Sequence, residues 1–417
     1  MKPEREEWYI GIEADRRWVQ ISFYRAGQAE PETRSTLAGT ELYQIPTALC
    51  KRRQTGQWCY GEEGRKLAES GEGYYAGDLL KRGFYKEVVS MDQDYSAEGL
   101  LLVFLRKVLR LALPAQGVEA VTKCVFSLEV INKETADFVQ GLAEKLGFTK
   151  KQIQIQDHKE SFYAYVVSQE LALWQHQVLL FEEKGEGIFC TLLACNNKTK
   201  PKIAQTSQAF LGKLPQDLTQ RDQEFVKMLK KVLDGRIVSS VYLIGSGFEE
   251  GWMKDSLRMV CRGRRAFQGK NLYTRGACYA GMIQKHQEDA ETVYFCEYKI
   301  KEHISLKVSS GDEHFFCPLA EAGCNHHQVG KRLRILLAGE AVLELWMQQP
   351  GSREARIESL ELPGLSVSEQ EPARLSITVS PGEEGSILLN VQDMGFGVIS
   401  RGTGLEWEYE IGRENHE

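Results

Sequence analysis

The chain has 417 residues, of which 42% are hydrophobic and 26% are charged. This length and composition predict two or three globular domains with hydrophobic cores of ordinary size. Cores of that size can stabilise the fold without disulfides or structural metals. The 52 basic and 58 acidic side chains give a net charge of −6, which argues against a nucleic-acid-binding protein. The local basic run Arg262, Arg264, Arg265 and Lys270 is predicted to be a solvated face at a helix end.

The ten cysteines are scattered and form no C-x-x-C pair. The first residues are charged and contain no apolar signal region, so this cysteine pattern predicts free thiols in a reducing cytoplasm. No apolar run approaches the ~18 residues that a membrane span needs. We therefore expect a soluble, cytoplasmic protein without membrane contact.

The N-terminal segment predicts two strands joined by a tight polar turn. Trp8, Ile10 and Ile12 lie at every second position, and residues 19–23 repeat that spacing. The following segment "YQIPTALC" predicts another strand, and residues 62–70 predict a short helix.

Strands and helices alternate from there to residue 283. Ser96 can cap a helix that is apolar on nearly all sides, which predicts packing between two layers. Next come the strand "VTKCVFSLEV", the helix "KETADFVQGLAEKLG", the strand "KQIQIQ" and the helix "KESFYAYVVSQELA". The strand pair "QVLLFEEKGEGIFCTLLACNN", a helix over residues 216–233 and the strand "VSSVYLIGSGF" precede the helices "EEGWMKDSLRMV" and "NLYTRGACYAGM". This alternation predicts a layered α/β domain.

After Glu288 the pattern changes to short alternating runs separated by turn signals such as "SSGDE" and "SPGEEGS". These runs, from "TVYFCEYK" to "LEWEYEI", are typical of a β-sandwich. The polar stretch "QKHQEDAET" separates the two patterns. We therefore expect a first domain over residues 1–288 and a second over residues 289–417.

Three glycine-containing turns follow apolar strands, at residues 11–16, 182–187 and 245–247. Glycine lets backbone N–H groups approach a phosphate closely, and a helix N-terminus adds a favourable dipole. Each turn alone is weak evidence, and the order and spacing of the three turns in one α/β chain are more informative.

This order of elements resembles the actin-like ATPases and, among them, the seventy-kilodalton heat-shock chaperones. "VYLIGSGFEEGWMKDSLRMV" resembles their adenosine motif, and "NLYTRGACYAG" is similar to the helix with repeated Gly-Ala that closes the second lobe. "VFSLEVINKETADFVQGLAEKLGF" and "IPTALC" with "WCYGEEGRKLAE" resemble parts of the first lobe. The likeness covers most of residues 8–283. It implies an α/β two-lobed actin-like (ribonuclease-H-like) ATPase fold.

The C-terminal region extends the resemblance. Residues 353–398 are similar to the later strands of the chaperones' peptide-binding sandwich, with Asp393, Gly395 and Gly397 at a family turn. This likeness implies an all-β sandwich domain that binds a client protein or peptide. The chain ends at Glu417, soon after the last predicted strand, so we expect no helical lid.

The resemblance also implies positions for ATP or ADP with magnesium. The stretch "LKRGF" puts the catalytic lysine at Lys81, and Asp157 matches the acid that helps to hold the attacking water. Glu182 begins the second phosphate loop. The implied nucleotide-binding positions are Gly11, Glu13, Gly185, Gly187, Gly245, Ser246 and Gly247.

Both phosphate loops depart from the family pattern. The family's D-x-G-T-T is replaced by "EADRR" at residues 13–17, and its D-L-G-G-G-T by "EEKGEG" at residues 182–187. Asp15 adds a negative charge where a phosphate would lie, and two like charges ~4 Å apart repel by about 1 kcal/mol in water and about 4 kcal/mol at an effective dielectric near 20. Arg16 and Arg17 could offset this repulsion, but larger side chains cannot reproduce the open backbone of a glycine. Phosphoryl transfer depends on positioning and charge neutralisation, so we expect no fast hydrolysis. Only residues 245–247 remain compatible with holding an adenosine, and the alternative interpretation, which we favour, is a merely structural turn.

Other chemistries fit the sequence less well. Cys317, Cys324, His326 and His327 have a spacing that matches no common zinc pattern, so we expect no metal. A hydrolase would need a nucleophile beside His158, and no G-x-S-x-G elbow is present.

Two aromatic groups allow a structural and a binding interpretation. Phe162, Tyr163 and Tyr165 on one helix are predicted to pack between lobes rather than to hold a ligand. Trp346 and Met347 could line a peptide groove, but alternating apolar residues of a sandwich usually face its core.

Three functions remain open on this sequence. The first is a non-hydrolysing chaperone relative that binds or scaffolds a partner protein or peptide and uses no nucleic acid. The second is a slow ATPase that uses Lys81, Asp157 and Glu182 with magnesium. The third is a filament-forming actin relative, which the β appendage disfavours.

Overall fold

A computed structural model describes residues 6–196, 198–249, 251–285, 292–310, 313–382, 386–396 and 402–412. No helix in these ranges is long and apolar enough to cross a membrane. The chain divides into two compact units, one formed by Met1–Ala194 with Thr206–Asp289, the other by Cys195–Gln205 with Ala290–Glu417. The structure thus assigns Cys195–Gln205 to the second unit, whereas the sequence predicted one boundary at residue 288, outside the described ranges.

The strands and helices before residue 286 alternate along the chain. The strands are β1 (Trp8–Ala14), β2 (Trp18–Arg25), β3 (Glu32–Arg34), β4 (Ile45–Pro46), β5 (Leu49–Arg52), β6 (Trp58–Tyr60), β7 (Gly73–Ala76), β8 (Val88–Ser90), β9 (Asp94–Ser96), β10 (Lys123–Leu128), β11 (Ile153–Asp157), β12 (Gln177–Lys184), β13 (Gly187–Asn196), β14 (Lys202–Gly212), β15 (Val238–Ile244) and β16 (Arg265–Gly269). The helices are α1 (Gly61–Glu69), α2 (Leu79–Phe84), α3 (Ala97–Leu109), α4 (Lys133–Lys145), α5 (His158–Val167), α6 (Leu218–Leu233), α7 (Asp255–Val260) and α8 (Leu272–Lys285).

Two sheets of the first unit share one strand order. The first sheet runs β11-β10-β1-β2-β3, and the second begins β16-β15-β12-β13-β14. In the first sheet, β1 pairs antiparallel with β2 and parallel with β10, and β10 pairs parallel with the edge strand β11. In the second sheet, β12 pairs antiparallel with β13 and parallel with β15, and β15 pairs parallel with the edge strand β16. The same topology therefore occurs twice in one chain.

The helix ends show why the predicted helices form where they do. The predicted helix after Ser96 is confirmed as α3, and the Ser96 hydroxyl accepts a hydrogen bond from the Gly99 N–H at 3.4 Å. Helix α4 begins with a reciprocal cap, because Asn132 Oδ1 accepts from the Thr135 N–H and Thr135 Oγ1 accepts from the Asn132 N–H.

Two predicted elements differ from the structure. The single strand predicted at "YQIPTALC" splits into β4 and β5, because Thr47 turns to bind the Arg17 carbonyl with its N–H at 2.8 Å. The helix predicted from residue 249 begins only at Asp255. There Asp222 of α6 accepts hydrogen bonds from the N–H groups of Lys254, Asp255 and Ser256, and thus caps α7 from another helix.

The second unit consists of short strands, as the sequence predicts. They are β17 (Thr292–Phe295), β18 (His303–Ser310), β19 (Glu313–Ala320), β20 (Lys331–Leu337), β21 (Val342–Gln348), β22 (Arg356–Glu361), β23 (Ala373–Pro381), β24 (Ile387–Asp393) and β25 (Glu406–Ile411). They form the sheets β19-β18-β21-β22 and β20-β23-β24-β25, while β17 pairs in parallel with residues 202–205 of β14. Leu306 and Leu345 of one sheet and Leu375 and Leu389 of the other belong to one buried core, so the two sheets pack on each other.

Candidate functional site

Five side chains of the first unit form a buried polar cluster, defined here as Glu13, His158, Glu182, Lys184 and Tyr273. Glu13 lies near the end of β1, His158 is the first residue of α5, and Tyr273 lies in the first turn of α8. Glu182 and Lys184 end β12. Two strand ends and two helix starts therefore meet at this point.

Tyr273 connects the members of the cluster. Its ring stacks on His158 with centroids 4.1 Å apart and planes inclined by 14°. Its hydroxyl donates a hydrogen bond to Glu182 Oε2 at 3.1 Å, and it is only 4% exposed. Lys184 Nζ lies 3.2 Å from the same Glu182 oxygen and 2.5 Å from Glu129 Oε1.

Glu13 and His158 face each other without a direct hydrogen bond. Glu13 Oε1 and His158 Nε2 are 3.9 Å apart, and Glu13 is 5% exposed. Among the described residues, neither Glu13 Oε2 nor either ring nitrogen of His158 has a hydrogen-bond partner. Leaving buried polar atoms without a hydrogen bond costs free energy, so these three atoms are exceptions to the usual pattern in folded proteins.

Burial sets the protonation states in the cluster. It raises the pKa of Glu13 well above its usual value, and the negative charges of Glu182 and Asp15 add to the effect. Burial, with the Lys184 charge beside it, lowers the pKa of His158 to about 3. Burial also raises the pKa of Glu182, despite the opposing Lys184 ammonium. At neutral pH His158 is therefore an uncharged imidazole.

The structure brings three predicted site acids to Tyr273. Asp157 ends β11, is 2% exposed and caps α5, since its Oδ1 accepts a hydrogen bond from the Glu160 N–H at 2.7 Å. Burial raises the pKa of the Tyr273 hydroxyl, and the carboxylates of Glu182, Glu13 and Asp157 raise it further. All three acids thus lie within electrostatic reach of one phenol.

Lys81 lies apart from these contacts. It is exposed on α2, and within the described ranges it forms no ion pair with Glu13, Asp157 or Glu182. The predicted catalytic lysine and the predicted acids are therefore not brought into contact.

Gly11 is a packing residue of β1. A Cβ at this position would lie 2.1 Å from the Thr274 carbonyl oxygen and 2.9 Å from the Cys278 nitrogen. The Thr274 hydroxyl in turn donates to the Gly11 carbonyl at 2.9 Å. The glycine lets α8 lie directly on β1, and the strand does not leave its backbone open to a phosphate.

The second loop is a two-residue hairpin connection. Lys184 pairs with Gly187 across the turn, and Gly185 and Glu186 form its exposed tip. Gly187 has φ +139°, and a Cβ there would lie 2.4 Å from the Gly212 carbonyl oxygen. Lys184 pairs with Glu182 of the same loop and with Glu129, which follows β10, so its ammonium is already bound by two carboxylates.

The third loop is filled by two charged side chains. Gly245 has φ +108°, Ser246 is exposed, and a Cβ on Gly247 would lie 1.1 Å from Glu183 Oε2. That Glu183 carboxylate pairs with the Arg221 guanidinium, which also stacks over Trp252 at 5.0 Å. The space beside Gly247 is therefore occupied by the Glu183 carboxylate.

Sequence reasoning missed Tyr273 and Arg221 as members of these sites, and it placed Glu183 in the second loop but not beside Gly247. Tyr273 lies 91 positions from its partner Glu182, and Arg221 lies 38 positions from Glu183. The available signal was only that "EEK" places two acids and a lysine at a predicted strand end.

The predicted sites outside the cluster are also placed. His326 contacts the Ser386 carbonyl at 2.5 Å, and the described residues contain no group of three side chains that could hold a metal.

Asp393 accepts hydrogen bonds from the N–H groups of Gly395 and Thr403, while Gly397 lies outside the described residues. Trp346 packs against Phe316 with ring centroids 4.9 Å apart.

Comparison with known families places the chain in a group defined by sequence. A model described as "Family of unknown function (DUF5716) C-terminal" matches residues 30–297, more than half of the chain. The chain belongs to this family. A second model, described as "Domain of unknown function (DUF8552)", matches residues 299–412. No curated protein matches the chain.

Proposed function

We propose that this chain is a chaperone-like binding or scaffolding protein, with a two-lobed actin-like domain that no longer hydrolyses ATP and a β-sandwich that follows it. One observation supports the proposal most: side chains of the chain itself fill the three turns at which the resemblance would put a nucleotide. Tyr273 and His158 fill the space between the first two loops. Glu183 and Arg221 fill the third.

The repeated topology supports the scaffold part of the proposal. The orders β11-β10-β1-β2-β3 and β16-β15-β12-β13-β14 are the same, and each contains one antiparallel hairpin beside two parallel strands. A duplicated sheet of this kind is what a two-lobed actin-like domain requires. The three glycine turns lie at the ends of the central strands β1, β12 and β15.

Electrostatics supports the loss of ATPase activity. A triphosphate between the first two loops would meet the Glu13 and Glu182 carboxyl groups, both nearly buried. A charged Glu182 carboxylate at ~4 Å would repel a phosphate charge by about 4 kcal/mol at an effective dielectric near 20, and Glu13, which burial keeps protonated, offers no positive charge in compensation. Lys184 could compensate one such charge, but it is already bound to Glu182 and Glu129.

The partner in this proposal is a protein or peptide, and the compartment is the cytoplasm. All ten cysteines are free thiols, which suits a reducing compartment. The acidic net charge of −6 disfavours nucleic acid as the main partner.

Isothermal titration with ATP and magnesium, paired with a phosphate-release assay, tests the proposal. We expect no binding heat beyond dilution and no phosphate release above buffer, with an active heat-shock chaperone as the positive control. Turnover at the rate of the active chaperone would overturn the proposal.

A slow magnesium-dependent ATPase is the second candidate, favoured by the presence of Asp157, Glu182 and Glu13 around Tyr273. Under this alternative, Lys81→Ala abolishes any residual phosphate release. Lys86→Ala, another exposed lysine just after α2, is the matched control. Residual release that is equal in both variants would dismiss the alternative.

A further inference from the structure

A short segment of the first unit concentrates positive charge on an otherwise acidic chain. Residues 254–270 contain six lysines or arginines and one aspartate, whereas the whole chain has a net charge of −6. The segment comprises α7, the turn after it and strand β16. Its charge density is therefore a local feature that the nucleotide-site comparison does not explain.

Strand β16 lies at the edge of its sheet. In the described part of the chain it pairs with β15 alone. The two strands run parallel, and Arg265 to Gly269 of β16 lie opposite Ser240 to Ile244 of β15. Four of its five residues are exposed. The far side of such a strand presents unpaired backbone N–H and C=O groups, to which another extended chain can add as a strand.

The cations beside this edge are mostly without acidic partners. Arg258 pairs with Asp255 at 3.3 Å and Lys270 with Glu249 at 2.7 Å. No ion pair joins Arg262, Arg264 or Arg265 to an acid within the described ranges. Arg264 is half-buried, its Nη1 has no hydrogen-bond partner there, and burial lowers the pKa of its guanidinium.

Charge on an edge strand also serves to prevent aggregation. A single exposed cation would suffice for that purpose, and it would not need to be partly buried. An unpaired guanidinium that is partly desolvated, such as that of Arg264, is better explained by a ligand with carboxylates, which arginine binds in a bidentate manner. The arginines therefore favour an acidic ligand over simple protection of the edge.

The strand also carries an apolar contact point. Phe267 is 36% exposed and stacks on the buried Tyr242, with centroids 5.0 Å apart and planes inclined by 18°. Arg265 and Phe267 lie two positions apart on one strand and so point to the same face of the sheet. A strand that pairs with this edge could place an acidic residue beside Arg265 and, two positions away on the same face, an apolar residue beside Phe267.

We propose that the free edge of β16 binds an acidic, extended segment of a partner protein as an added strand, with carboxylates at Arg262, Arg264 and Arg265. The inference rests on the proposed partner-binding function and gives that partner a chemistry and a place. Single-stranded nucleic acid fits less well, because its sugar-phosphate backbone has no regularly spaced N–H and C=O groups to pair with the strand edge.

Fluorescence anisotropy with the full chain tests the proposal. The probe is a labelled peptide of about twelve residues in which glutamates and valines alternate in pairs, so that each face of an extended strand carries both. We expect saturable binding that weakens as salt rises from low to high concentration. A peptide of the same sequence with alternate backbone nitrogens methylated keeps every charge but cannot pair as a strand, and it should bind at least roughly tenfold more weakly.

Charge-reversal variants locate the site. The double variant Arg262→Glu, Arg265→Glu should weaken peptide binding roughly tenfold or more. Lys150→Glu, which reverses a 77% exposed lysine at a distant loop, should leave it unchanged. Thermal melting of each variant checks that the fold is retained.

Three results would overturn this inference: no peptide binding, equal binding of the methylated peptide, or displacement by single-stranded DNA at concentrations as low as those of unlabelled peptide. Nucleotide titration on the same samples separates this inference from the proposed function. Absent peptide binding with absent nucleotide turnover rejects only the β16 site, whereas ATP turnover with intact peptide binding rejects only the loss of ATPase activity.

Discussion

His158 and Tyr273 stack with their ring centroids 4.1 Å apart, and this pair closes the space between the ends of β1 and β12. The two residues belong to different helices, α5 and α8, whose packing positions both rings. The stack leaves an uncharged imidazole facing a carboxyl group that burial keeps protonated above its ordinary pKa. The cluster thus holds two uncharged ionisable groups in a buried position.

Removing the Tyr273 ring should destabilise the protein. Tyr273→Ala deletes a buried aromatic ring and should lower the free energy of unfolding by about 3–5 kcal/mol. Tyr273→Phe removes only the hydrogen bond to Glu182 and should cost about 1–3 kcal/mol. Urea unfolding followed by circular dichroism measures both. Equal, near-zero losses would show that the ring does not fill this space.

His158 should make the protein sensitive to acid. The folded protein keeps the imidazole neutral down to a pKa of about 3, whereas the unfolded chain binds a proton near pH 6.5. Between these values only the unfolded state takes up the proton. His158 should therefore lower the free energy of unfolding by about 3 kcal/mol as the pH falls from 6.5 to 4. His158→Phe keeps a ring against Tyr273 and should lose less stability over that range. The control His176→Gln changes an exposed histidine, and equal slopes for all three proteins would contradict the account.

Glu13 should act in the opposite direction. Its pKa is raised in the folded state, so the stability that this group contributes is fully present below the unfolded pKa and is lost as pH rises through the folded value. Glu13→Gln removes that loss. The free energy of unfolding of the variant, compared with that of the wild-type protein, should therefore be more favourable at pH 8 than at pH 5. Unfolding midpoints at the two pH values give the comparison, with Glu186→Gln at the exposed hairpin tip as control. A gain that is independent of pH would refute a buried, protonated carboxyl group.

The third loop offers a test of the Glu183 carboxylate. Gly247→Ala places a Cβ 1.1 Å from Glu183 Oε2 and should cost about 1–3 kcal/mol by forcing the carboxylate away from Arg221. Adding Glu183→Ala removes the closest clash and leaves only the mobile end of Arg221, whose Nη2 lies 2.4 Å from the added Cβ, so the two substitutions should couple by at least about 1 kcal/mol in a double-mutant cycle. Gly185→Ala, with open space around it, should be nearly neutral. Strict additivity would mean that the carboxylate does not occupy this loop.

The sequence predicts most elements and part of the site. The spacing of Ile10 and Ile12 predicts β1, and Ser96 predicts the start of α3, because these signals are local. Glu13, Asp157 and Glu182 came from matching the chain to the motifs of the family that it resembles, and all three lie near Tyr273.

What the sequence could not predict depends on long-range contacts. Tyr273 reads as an ordinary helix residue until α8 is placed against β1 through Gly11. The cap of α7 comes from Asp222, more than thirty positions earlier, so no local pattern marks the start of that helix. Both features arise from which elements pack together, and periodicity does not specify that.

A crystal structure determined after growth with ATP and magnesium tests the central claim most directly. The account predicts that Tyr273 remains stacked on His158 and bound to Glu182, and that no nucleotide density appears between the loops. An ordered triphosphate with its metal between β1 and β12, with the Tyr273 ring displaced, would contradict it.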